Sequence, residues 1–262
     1  MSAFLIPPDC AYFSVLGFPI YYYGIILAIA IFVGILVSDR VAVKHYFLYG
    51  VIPNIATSVI IGGIIGARLY YCLLNYSVYL HNPLEILALR EGGLSIHGAI
   101  LGGVIVLFFQ AKRNKIELLK LCDIFSIGLP LAQAIGRWGN FFNSEAFGLP
   151  TDLPWKMYII QPLRPDKYFS YEYFHPTFLY ESIFDLIIFF ILYKFIFKCC
   201  KDNVGIVSAW YLILYSIARF FIEFIRVDCV KYLFGIPFPQ IVSLLLIICS
   251  GVFIFYKKRY IK

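Results

Sequence analysis

Long apolar runs alternate with short polar segments along the whole sequence. The runs cover residues 18–37, 51–74, 94–111, 121–142, 177–197, 204–225 and 237–256. Each is about 20 residues long, which is the length that an α-helix needs to cross the hydrocarbon core of a bilayer. The pattern therefore predicts seven transmembrane helices, and it shows no internal repeat.

Residues 143–176 form the longest segment between two apolar runs. The segment is rich in aromatic residues, and four prolines interrupt it: Pro150, Pro154, Pro162 and Pro165. A connection of this length and composition is more typical of a functional surface element than of a linker. We therefore expect an all-α, polytopic integral membrane protein with a single transmembrane domain over residues 1–262 and a small extracytoplasmic cap at 143–176.

The composition agrees with a membrane protein. Hydrophobic residues make up 61% of the 262 positions and charged residues only 14%, whereas soluble domains contain roughly 25% charged residues. The start of the chain, MSAFLIPPDCAY, lacks the basic region of a signal peptide and contains a Pro-Pro break, so we expect the first run to remain as a permanent span. The seven cysteines form no CxxC motif, and we expect neither a zinc site nor a disulfide framework.

The net charge of +7 has two explanations, nucleic-acid binding or basic cytoplasmic loops. Segments on alternate sides of the predicted spans contain thirteen and six Lys or Arg residues. The positive-inside rule assigns the richer side to the cytoplasm, which places the N-terminus outside and the C-terminus inside. We expect no nucleic-acid partner. Apart from Lys194, which is counted with the segment after the fifth run, three basic residues lie within the apolar runs: Arg68, Arg137 and Arg219.

Polar residues within and beside the runs concentrate in the predicted outer half of the membrane. They include Tyr23, Arg68, Ser95, His97, Arg137, Asn140, Asn143, Glu145, His175, Tyr180, Glu181, Tyr215, Arg219, Glu223, Arg226 and Gln240, while Asp123 and Asp185 lie deeper. Four of them have the spacing i, i+4, i+8 and i+11 of one helical stripe: Tyr215, Arg219, Glu223 and Arg226. The pattern predicts a polar pocket that opens outward.

Simpler explanations apply to single residues of this set. An arginine near a span end extends its charge to the headgroups, and Arg219 with Glu223 has the spacing of a structural ion pair. For Glu181 and Asp185, which are one helical turn apart, we favour a structural role that holds an arginine in place over a direct role in the reaction. Groups such as His97 cannot reach the headgroups in this way, and a charge at mid-depth costs about 2.5–3.5 kcal/mol. Several such costs together indicate a function.

The residue types favour a phosphate ligand. Two arginines in a pocket at lipid depth bind phosphate oxygens bidentately and stay charged when desolvated. The abundant phosphate there is a phospholipid headgroup. His97 is the group whose ordinary pKa suits proton transfer near neutral pH, although a packing histidine is the alternative. No GxSxG or HExxH motif is present, so a serine hydrolase, a metal and a cofactor are not expected.

Four segments, in order along the chain, resemble those of the bacterial prolipoprotein diacylglyceryl transferase family. They are HGAILGG at 97–103, GRWGNFFNSEAFG at 136–148, HPTFLYE at 175–181 and YSIARFFIEFIR at 215–226. The resemblance implies a protein of the bacterial cytoplasmic (inner) membrane with its active site toward the outer leaflet. It implies transfer of the diacylglyceryl group of phosphatidylglycerol to the lipobox cysteine of a preprolipoprotein signal peptide. The products would be a thioether and glycerol 1-phosphate.

The resemblance also assigns roles to residues. Arg137 and Arg219 match the essential arginines of the family, His97 matches its proposed base, and Glu223 also matches. The expected catalytic set is thus His97, Arg137, Arg219 and Glu223. The expected phosphatidylglycerol-binding set is Tyr23, Arg137, Asn140, Asn143, Glu145, Tyr215 and Arg219. One departure from the family lies in the last run, where Pro239-Gln240 replaces the usual Gly-Gln.

The chemistry of the residues agrees with this reaction. Attack of the thiolate on the glycerol C3 carbon makes the phosphate a leaving group, so arginines that stabilise its charge are needed. We expect Arg137 and Arg219 to hold the phosphate and His97 to take the thiol proton. A transporter or scramblase that binds an anionic lipid or solute in the same pocket is the alternative, and a non-catalytic lipid-binding scaffold is a third hypothesis.

Overall fold

The computed structural model describes residues 5–8, 12–15, 18–46, 48–88, 92–200, 202–227, 232–233 and 235–260. Residues counted above that lie outside this part are Cys10, Arg90, Lys201, Cys229, Lys231 and Lys262. The chain divides into two compact units, of which the first comprises residues 1–37 and 125–262 and the second residues 38–124.

Most of the described residues are helical, and five helices are long and apolar enough to cross a membrane. They are α1 (Tyr22–Tyr46), α2 (Val51–Leu74), α4 (Ile96–Arg113), α5 (Leu118–Phe142) and α9 (Phe238–Tyr260). Within α9 the candidate span is Phe238–Lys257. The boundary between the two units falls within α1 and within α5. The structure is therefore that of a helical membrane protein, as the apolar runs predict.

The first helix begins later than its apolar run. Phe18–Tyr21 forms strand β2, which pairs antiparallel with β1 (Tyr12–Val15). The helix α1 then starts at Tyr22 and continues to Tyr46. The residues of β2 are aromatic or β-branched apart from Pro19, and such residues favour strands as much as buried helices, so hydropathy alone could not separate the two.

Two further apolar runs form helices in different ways. The run at 177–197 becomes α6 (Thr177–Ile191), a π-helical turn (Leu192–Ile196) and α7 (Phe197–Cys200), which follow one another without a break. The run at 204–225 becomes α8 (Ile206–Ile222), which is shorter than the five long helices.

The second unit is built on close packing of α2 against α4. A Cβ added at Gly66 would meet the carbonyl oxygen of Gly98 and the backbone of Gly102, and a Cβ at Gly102 would meet the carbonyl oxygen of Gly62. Small residues let two helical backbones approach in this way, which is how helices associate in lipid without a hydrophobic driving force. After α2 the chain forms a short helix, α3 (Tyr76–His81), and a 3-10 turn (Pro83–Leu87).

The first unit contains α6, α8 and α9, with α8 packed on both of the others. Residues 143–176 contain strands β3 (Met157–Tyr158) and β4 (Tyr173–Phe174), which pair antiparallel. A third hairpin joins β5 (Tyr232–Leu233) to β6 (Ile236–Pro237). A hydrophobic cluster under the 143–176 segment comprises Leu5, Ala146, Phe147, Met157, Ile159, Phe174 and Phe178. The segment is thus a folded element with a core of its own.

Candidate active site

A buried glutamate lies at the centre of a cluster of arginines in the first unit. The Oε2 atom of Glu181, on α6, lies 2.5 Å from Nη2 of Arg137. Its Oε1 atom lies 3.2 Å from Nη1 of Arg219 and 3.1 Å from Nη1 of Arg226. The Glu181 side chain is only 4% exposed. Burying a charge costs several kcal/mol, so three cations around one buried anion form a specific site and are not surface ion pairs.

Glu223 supplies the second carboxylate of the cluster. Its Oε2 atom lies 2.7 Å from Nη2 of Arg219, and none of its side chain is exposed. The i, i+4 ion pair considered above is therefore formed, but Arg219 also binds Glu181. Glu181 and Glu223 together thus bind three guanidiniums. This arrangement suits an anionic ligand, because each guanidinium has more N–H donors than these contacts use.

The helical stripe predicted on the sixth run ends early. The helix α8 stops at Ile222, Glu223 forms its C-cap, and the backbone N–H of Arg226 donates to the carbonyl oxygen of Ile222 at 3.2 Å. The side chain of Arg226 thus reaches Glu181 from a turn and not from the helix. The prediction that these residues converge is consistent with the structure, while the prediction that all four share one helix was wrong.

A turn that follows α5 joins two of the elements whose side chains meet in the cluster. The Oγ1 atom of Thr177, at the start of α6, donates to the carbonyl oxygen of Ala146 at 2.5 Å. The N–H of Leu149 donates to the carbonyl oxygen of Ile225, after α8, at 2.9 Å. Residues 146–149 therefore connect the first turn of α6 with the turn that follows α8.

Gly148 occupies the tightest position of this turn. A Cβ there would meet the side chain and the carbonyl oxygen of Ile225 and the methyl group of Thr177. Its N–H donates to the carbonyl oxygen of His175 at 2.8 Å. The last glycine of the GRWGNFFNSEAFG segment thus allows backbone from three parts of the chain to pack together.

One hydrogen bond sets the position of α6 against α5. The Oγ atom of Ser182 donates to the carbonyl oxygen of Ala134 at 2.8 Å, and both residues are buried. Ser182 follows Glu181 in sequence, and Ala134 lies about one helical turn before Arg137. The bond therefore fixes the two helices at the level where the carboxylate meets the guanidinium.

A small cavity, partly open to its surroundings, lies beside the cluster. Its polar lining consists of Glu181, Asp185, Tyr215 and Arg219, and its apolar lining of Phe184, Ala218 and Ile222. Tyr215, which the sequence predicts as a substrate contact, thus lies on the same wall as Arg219. The cavity thus adjoins Glu181 and Arg219 of the arginine cluster.

Three other predicted residues form a separate carboxamide turn at the end of α5. The Nδ2 atoms of Asn140 and Asn143 each lie 3.4 Å from an oxygen of Glu145, one on each carboxylate oxygen. Ser144 and Ala146 have φ angles of 55° and 54°, in the left-handed region that non-glycine residues rarely adopt. Such strain is concentrated at functional sites. The structure therefore brings Asn140, Asn143 and Glu145 together in one turn, where both amides contact the carboxylate.

Tyr23 packs on the backbone of α5. A Cβ added at Gly139 would overlap the Tyr23 ring, and the ring of Tyr22 lies 5.1 Å from that of Phe142. Gly139, in the GRWGNFFNSEAFG segment, is thus a glycine because an aromatic ring of α1 lies against it.

His97, the predicted base, belongs to the second unit. It lies in the first turn of α4, its side chain is exposed, and its ring centroid is 6.2 Å from that of Tyr70. The N–H of Ser95, just before the helix, donates to the carbonyl oxygen of Ala67 at 3.1 Å. This bond fixes the start of α4 against α2.

Arg68 is buried in the second unit and binds backbone carbonyls. Its guanidinium donates to Ile86 at 2.9 Å, Gly92 at 2.7 Å, Gly93 at 3.1 Å and Ala88 at 3.3 Å, and also to Glu85. These carbonyls lie before and after residues 89–91, so Arg68 fixes the connection between α2 and α4. Its role in the structure is to organise a loop, which the sequence analysis did not anticipate.

A smaller aromatic cluster forms where Tyr180 of α6 contacts the 143–176 segment. The Tyr180 hydroxyl accepts from Nε1 of Trp155 at 2.9 Å and lies 3.1 Å from Nδ1 of His175. Partial burial lowers the pKa of His175, because the charged imidazolium is desolvated more than the neutral ring. This histidine is therefore uncharged near neutral pH and packs with its aromatic neighbours.

The departure at Pro239 has a structural explanation. α9 begins at Phe238, so Pro239 lies in its first turn, where an N–H group has no helical acceptor and proline is tolerated. Gln240 is 5% exposed, and its Nε2 atom donates to the carbonyl oxygen of Phe220 on α8 at 3.3 Å. The proline therefore fits a helix start, and Gln240 joins α9 to α8.

Sequence reasoning underestimated two residues of the cluster. Glu181 was predicted to anchor an arginine, and it contacts three, whereas Arg226 was noted only as part of the stripe. The signal for Glu181 was a carboxylate within an apolar run, at a position where an unpaired charge is costly. The sequence alone does not show how many arginines contact Glu181, because these arginines come from other parts of the chain.

Comparison with known proteins agrees with the resemblance. A model of the prolipoprotein diacylglyceryl transferase family matches residues 11–256. A phosphatidylglycerol–prolipoprotein diacylglyceryl transferase of Synechococcus elongatus is 43% identical over 230 residues, covering 86% of this chain and 79% of the relative. The proteins of the same name from Nostoc sp. and Thermotoga maritima are 42% identical over 227 residues (85% and 80% covered) and 41% identical over 238 residues (90% and 80% covered). The chain therefore belongs to the prolipoprotein diacylglyceryl transferase family.

Proposed function

We propose that this protein transfers the diacylglyceryl group of phosphatidylglycerol to the lipobox cysteine of preprolipoproteins, forming a thioether and releasing glycerol 1-phosphate. The names of its relatives support both substrates and the type of reaction. The observation on this chain that carries the proposal is the cluster of Arg137, Arg219 and Arg226 around Glu181, beside a cavity. It presents guanidinium donors, which buried carboxylates hold in place, to a phosphate.

The arginines act on the leaving group. The thiolate attacks the C3 carbon of the diacylglyceryl glycerol, the C–S bond forms, and the electrons of the C–O bond pass to a phosphate oxygen. Arg137 and Arg219 stabilise the charge that develops on this phosphate, and Glu181 and Glu223 hold them in place. Removing one preorganised donor of this kind costs about 3–4 kcal/mol in the transition state.

The remaining predicted residues bind and orient the lipid. Asn140, Asn143 and Glu145 form the carboxamide turn that follows the helix of Arg137, while Tyr215 lies on the cavity wall. Tyr23 supports the same end of α5 through Gly139. These contacts support a binding role for the set and a catalytic role for the arginines.

His97 takes the proton of the thiol in this proposal. A free cysteine has a pKa of about 8.5, so only a small fraction is thiolate at neutral pH and a base accelerates the reaction. The family resemblance of the HGAILGG segment and the exposed position of the imidazole in the first turn of α4 support this assignment.

We infer seven membrane spans, an outer cap at 143–176 and a single transmembrane domain over residues 1–262. The continuous helical segment from Thr177 to Cys200 is long enough, at about 1.5 Å per residue, to cross a core of about 30 Å. We assign the seventh span to α8, which is apolar but shorter than the five long helices. The distribution of basic residues favours an N-terminus outside the bacterial inner membrane, a cytoplasmic C-terminus and an active site toward the outer leaflet.

Reconstitution of the purified protein tests the proposal. Proteoliposomes that contain phosphatidylglycerol and a lipobox peptide are expected to release glycerol 1-phosphate without added metal and to yield a thioether-linked peptide. Arg137→Ala and Arg219→Ala should each reduce the rate by roughly a hundredfold or more. Lys156→Ala, which removes a cation of the 143–176 segment that pairs with Asp152 at 3.8 Å, is the control and should retain activity.

The outcomes separate the hypotheses. Release of no glycerol phosphate by the wild-type protein would contradict the transferase and favour a transporter or scramblase, which lipid-flip assays on the same vesicles detect. Equal rates for the two arginine variants and the wild type would remove the phosphate assignment. Full activity of His97→Ala would remove only the assignment of the base.

A further inference from the structure

Asp185 is a buried carboxylate that the proposed mechanism does not use. It lies on α6 one helical turn after Glu181, and only 3% of it is exposed. Within the described part of the chain its Oδ2 atom has neither a hydrogen-bond partner nor an ion pair, and the same holds for Oε1 of Glu223, which does not line the cavity; both oxygens of Glu181 and Oε2 of Glu223 contact arginine. Buried polar atoms are nearly always satisfied, so an unpartnered carboxylate oxygen needs an explanation.

The cavity beside the arginine cluster provides that explanation. Asp185 lines it together with Tyr215 and Arg219, and the rest of the wall is largely apolar. The unpartnered oxygen therefore belongs to a side chain on the wall of a partly open cavity. A carboxylate in such a place lacks a hydrogen-bond donor, and a ligand that carries hydroxyl groups supplies one.

Arg219 lies between the proposed phosphate site and the Asp185 carboxylate that lacks a donor. Its guanidinium belongs both to the proposed phosphate site and to the wall of the cavity. Arg219 contacts Glu181, which lies one helical turn before Asp185 on α6, a separation of about 5–6 Å at Cβ. A phosphate held by Arg219 therefore places the headgroup glycerol attached to it within reach of the Asp185 carboxylate.

We propose that Asp185 selects the phosphatidylglycerol headgroup by accepting hydrogen bonds from its glycerol hydroxyls. This inference rests on the proposed function and adds a specificity-determining residue to it. A site built to bind a hydroxyl group rejects an analogue that lacks the group, because its own polar atom is then left unpaired. The same carboxylate disfavours headgroups that offer no donor at this position.

The test compares two lipids with identical acyl chains. Phosphatidylpropanol has the phosphate and the three-carbon chain of phosphatidylglycerol but no hydroxyl groups on the headgroup. The wild-type protein, in proteoliposomes with the lipobox peptide, is expected to use phosphatidylglycerol with a kcat/KM at least roughly tenfold higher. In Asp185→Leu this ratio should fall to about one, with the rate on phosphatidylpropanol retained.

A second substitution and a matched control guard against misfolding. Asp185→Asn keeps an acceptor oxygen and the volume of the side chain, so it should keep a preference intermediate between those of Asp185→Leu and the wild type. Asp123→Asn alters a buried carboxylate of the second unit, and its lipid preference should equal that of the wild type. Thermal unfolding measured in parallel identifies variants that do not fold.

Two outcomes overturn the inference. One is a wild-type protein that uses both lipids equally, as expected if the cavity holds only water. The other is a preference for phosphatidylglycerol that is unchanged in folded Asp185→Leu and Asp185→Asn. Both differ from failure of the proposed function, in which the wild-type protein transfers neither lipid.

Discussion

At the scale of single residues, the candidate site depends on one carboxylate. Glu181 contacts Arg137, Arg219 and Arg226, which come from α5, α8 and the turn that follows α8. These cations would repel one another at such short range without an anion between them. Glu181 thus acts as a structural counter-ion, and the donors that it leaves unused are available to a phosphate.

Glu181→Gln should therefore lower both stability and activity. The amide keeps the shape of the side chain but loses the charge, so three guanidiniums remain close together with only Glu223 as an ion-paired anion. Breaking a buried pair by removing one partner costs about 3–5 kcal/mol, and we expect a lower midpoint of thermal unfolding together with at least a tenfold slower transfer. Differential scanning fluorimetry and the peptide assay measure the two effects.

Asp152→Asn is the control for this substitution. Asp152 is fully exposed and lies 3.8 Å from Nζ of Lys156, and an ion pair whose carboxylate is in water contributes little, about 0–1 kcal/mol. The unfolding midpoint of this variant should stay close to that of the wild type. An equally small change in Glu181→Gln would contradict the role of Glu181 as the counter-ion of the cluster.

The sequence predicts the members of this site better than their geometry. Arg137, Arg219 and Glu223 stand out because charges within apolar runs are costly, and the family motifs mark the same positions. The convergence of Arg226 on Glu181 depends on the end of α8 at Ile222, which a continuous apolar run does not reveal. A helix end of this kind is determined by tertiary bonds of the following turn, and local sequence contains little information on such bonds.

At the scale of elements, glycine determines how closely helices pack. In the second unit the α2 and α4 backbones meet at Gly66 and Gly102, where an added Cβ would overlap the opposite backbone. In the first unit Gly34 of α1 lies against Ala132 and Gly128 of α5. Both pairs consist of transmembrane-length helices, for which close van der Waals packing replaces the hydrophobic effect.

Gly66→Ala should loosen the second unit. The added methyl group would meet the carbonyl oxygen of Gly98 and the Cα of Gly102, so α2 and α4 must move apart. Overpacking of this kind costs about 1–3 kcal/mol. We expect a lower unfolding midpoint in detergent and, because Arg68 and His97 lie on these two helices, slower transfer as well.

Gly251→Ala is the matched control for Gly66→Ala. Gly251 lies in α9 with no atom within 4 Å of its added Cβ. The substitution gives the same chemical change in open space, where alanine is favoured over glycine in a helix by about 1 kcal/mol. Its midpoint should be unchanged or higher. Equal destabilisation by both substitutions would show that close packing of α2 on α4 is not the cause.

At the scale of the whole molecule, the number and direction of the spans determine on which side of the membrane the site lies. Five helices satisfy length and hydropathy on their own, while the segment from Thr177 to Cys200 is interrupted by a π-helical turn and α8 is shorter. The apolar runs predict seven crossings because hydropathy ignores such interruptions. Five and seven spans both place the termini on opposite sides, so the intervening segments must be tested.

Epitope tags inserted at three positions distinguish these topologies. We expect a tag after Lys167 to be accessible to antibody in intact spheroplasts, and tags after Asn114 and Asn203 to become accessible only after permeabilisation. The first lies in the proposed outer cap, the second between α4 and α5, and the third between α7 and α8. Transfer activity of each tagged protein serves as the control for folding.

Access to the Asn203 tag from outside would show that the helices before and after it do not cross the membrane, which would reduce the number of spans to five. Access to the Asn114 tag from outside would reverse the orientation and place the arginine cluster on the cytoplasmic side, away from the outer leaflet.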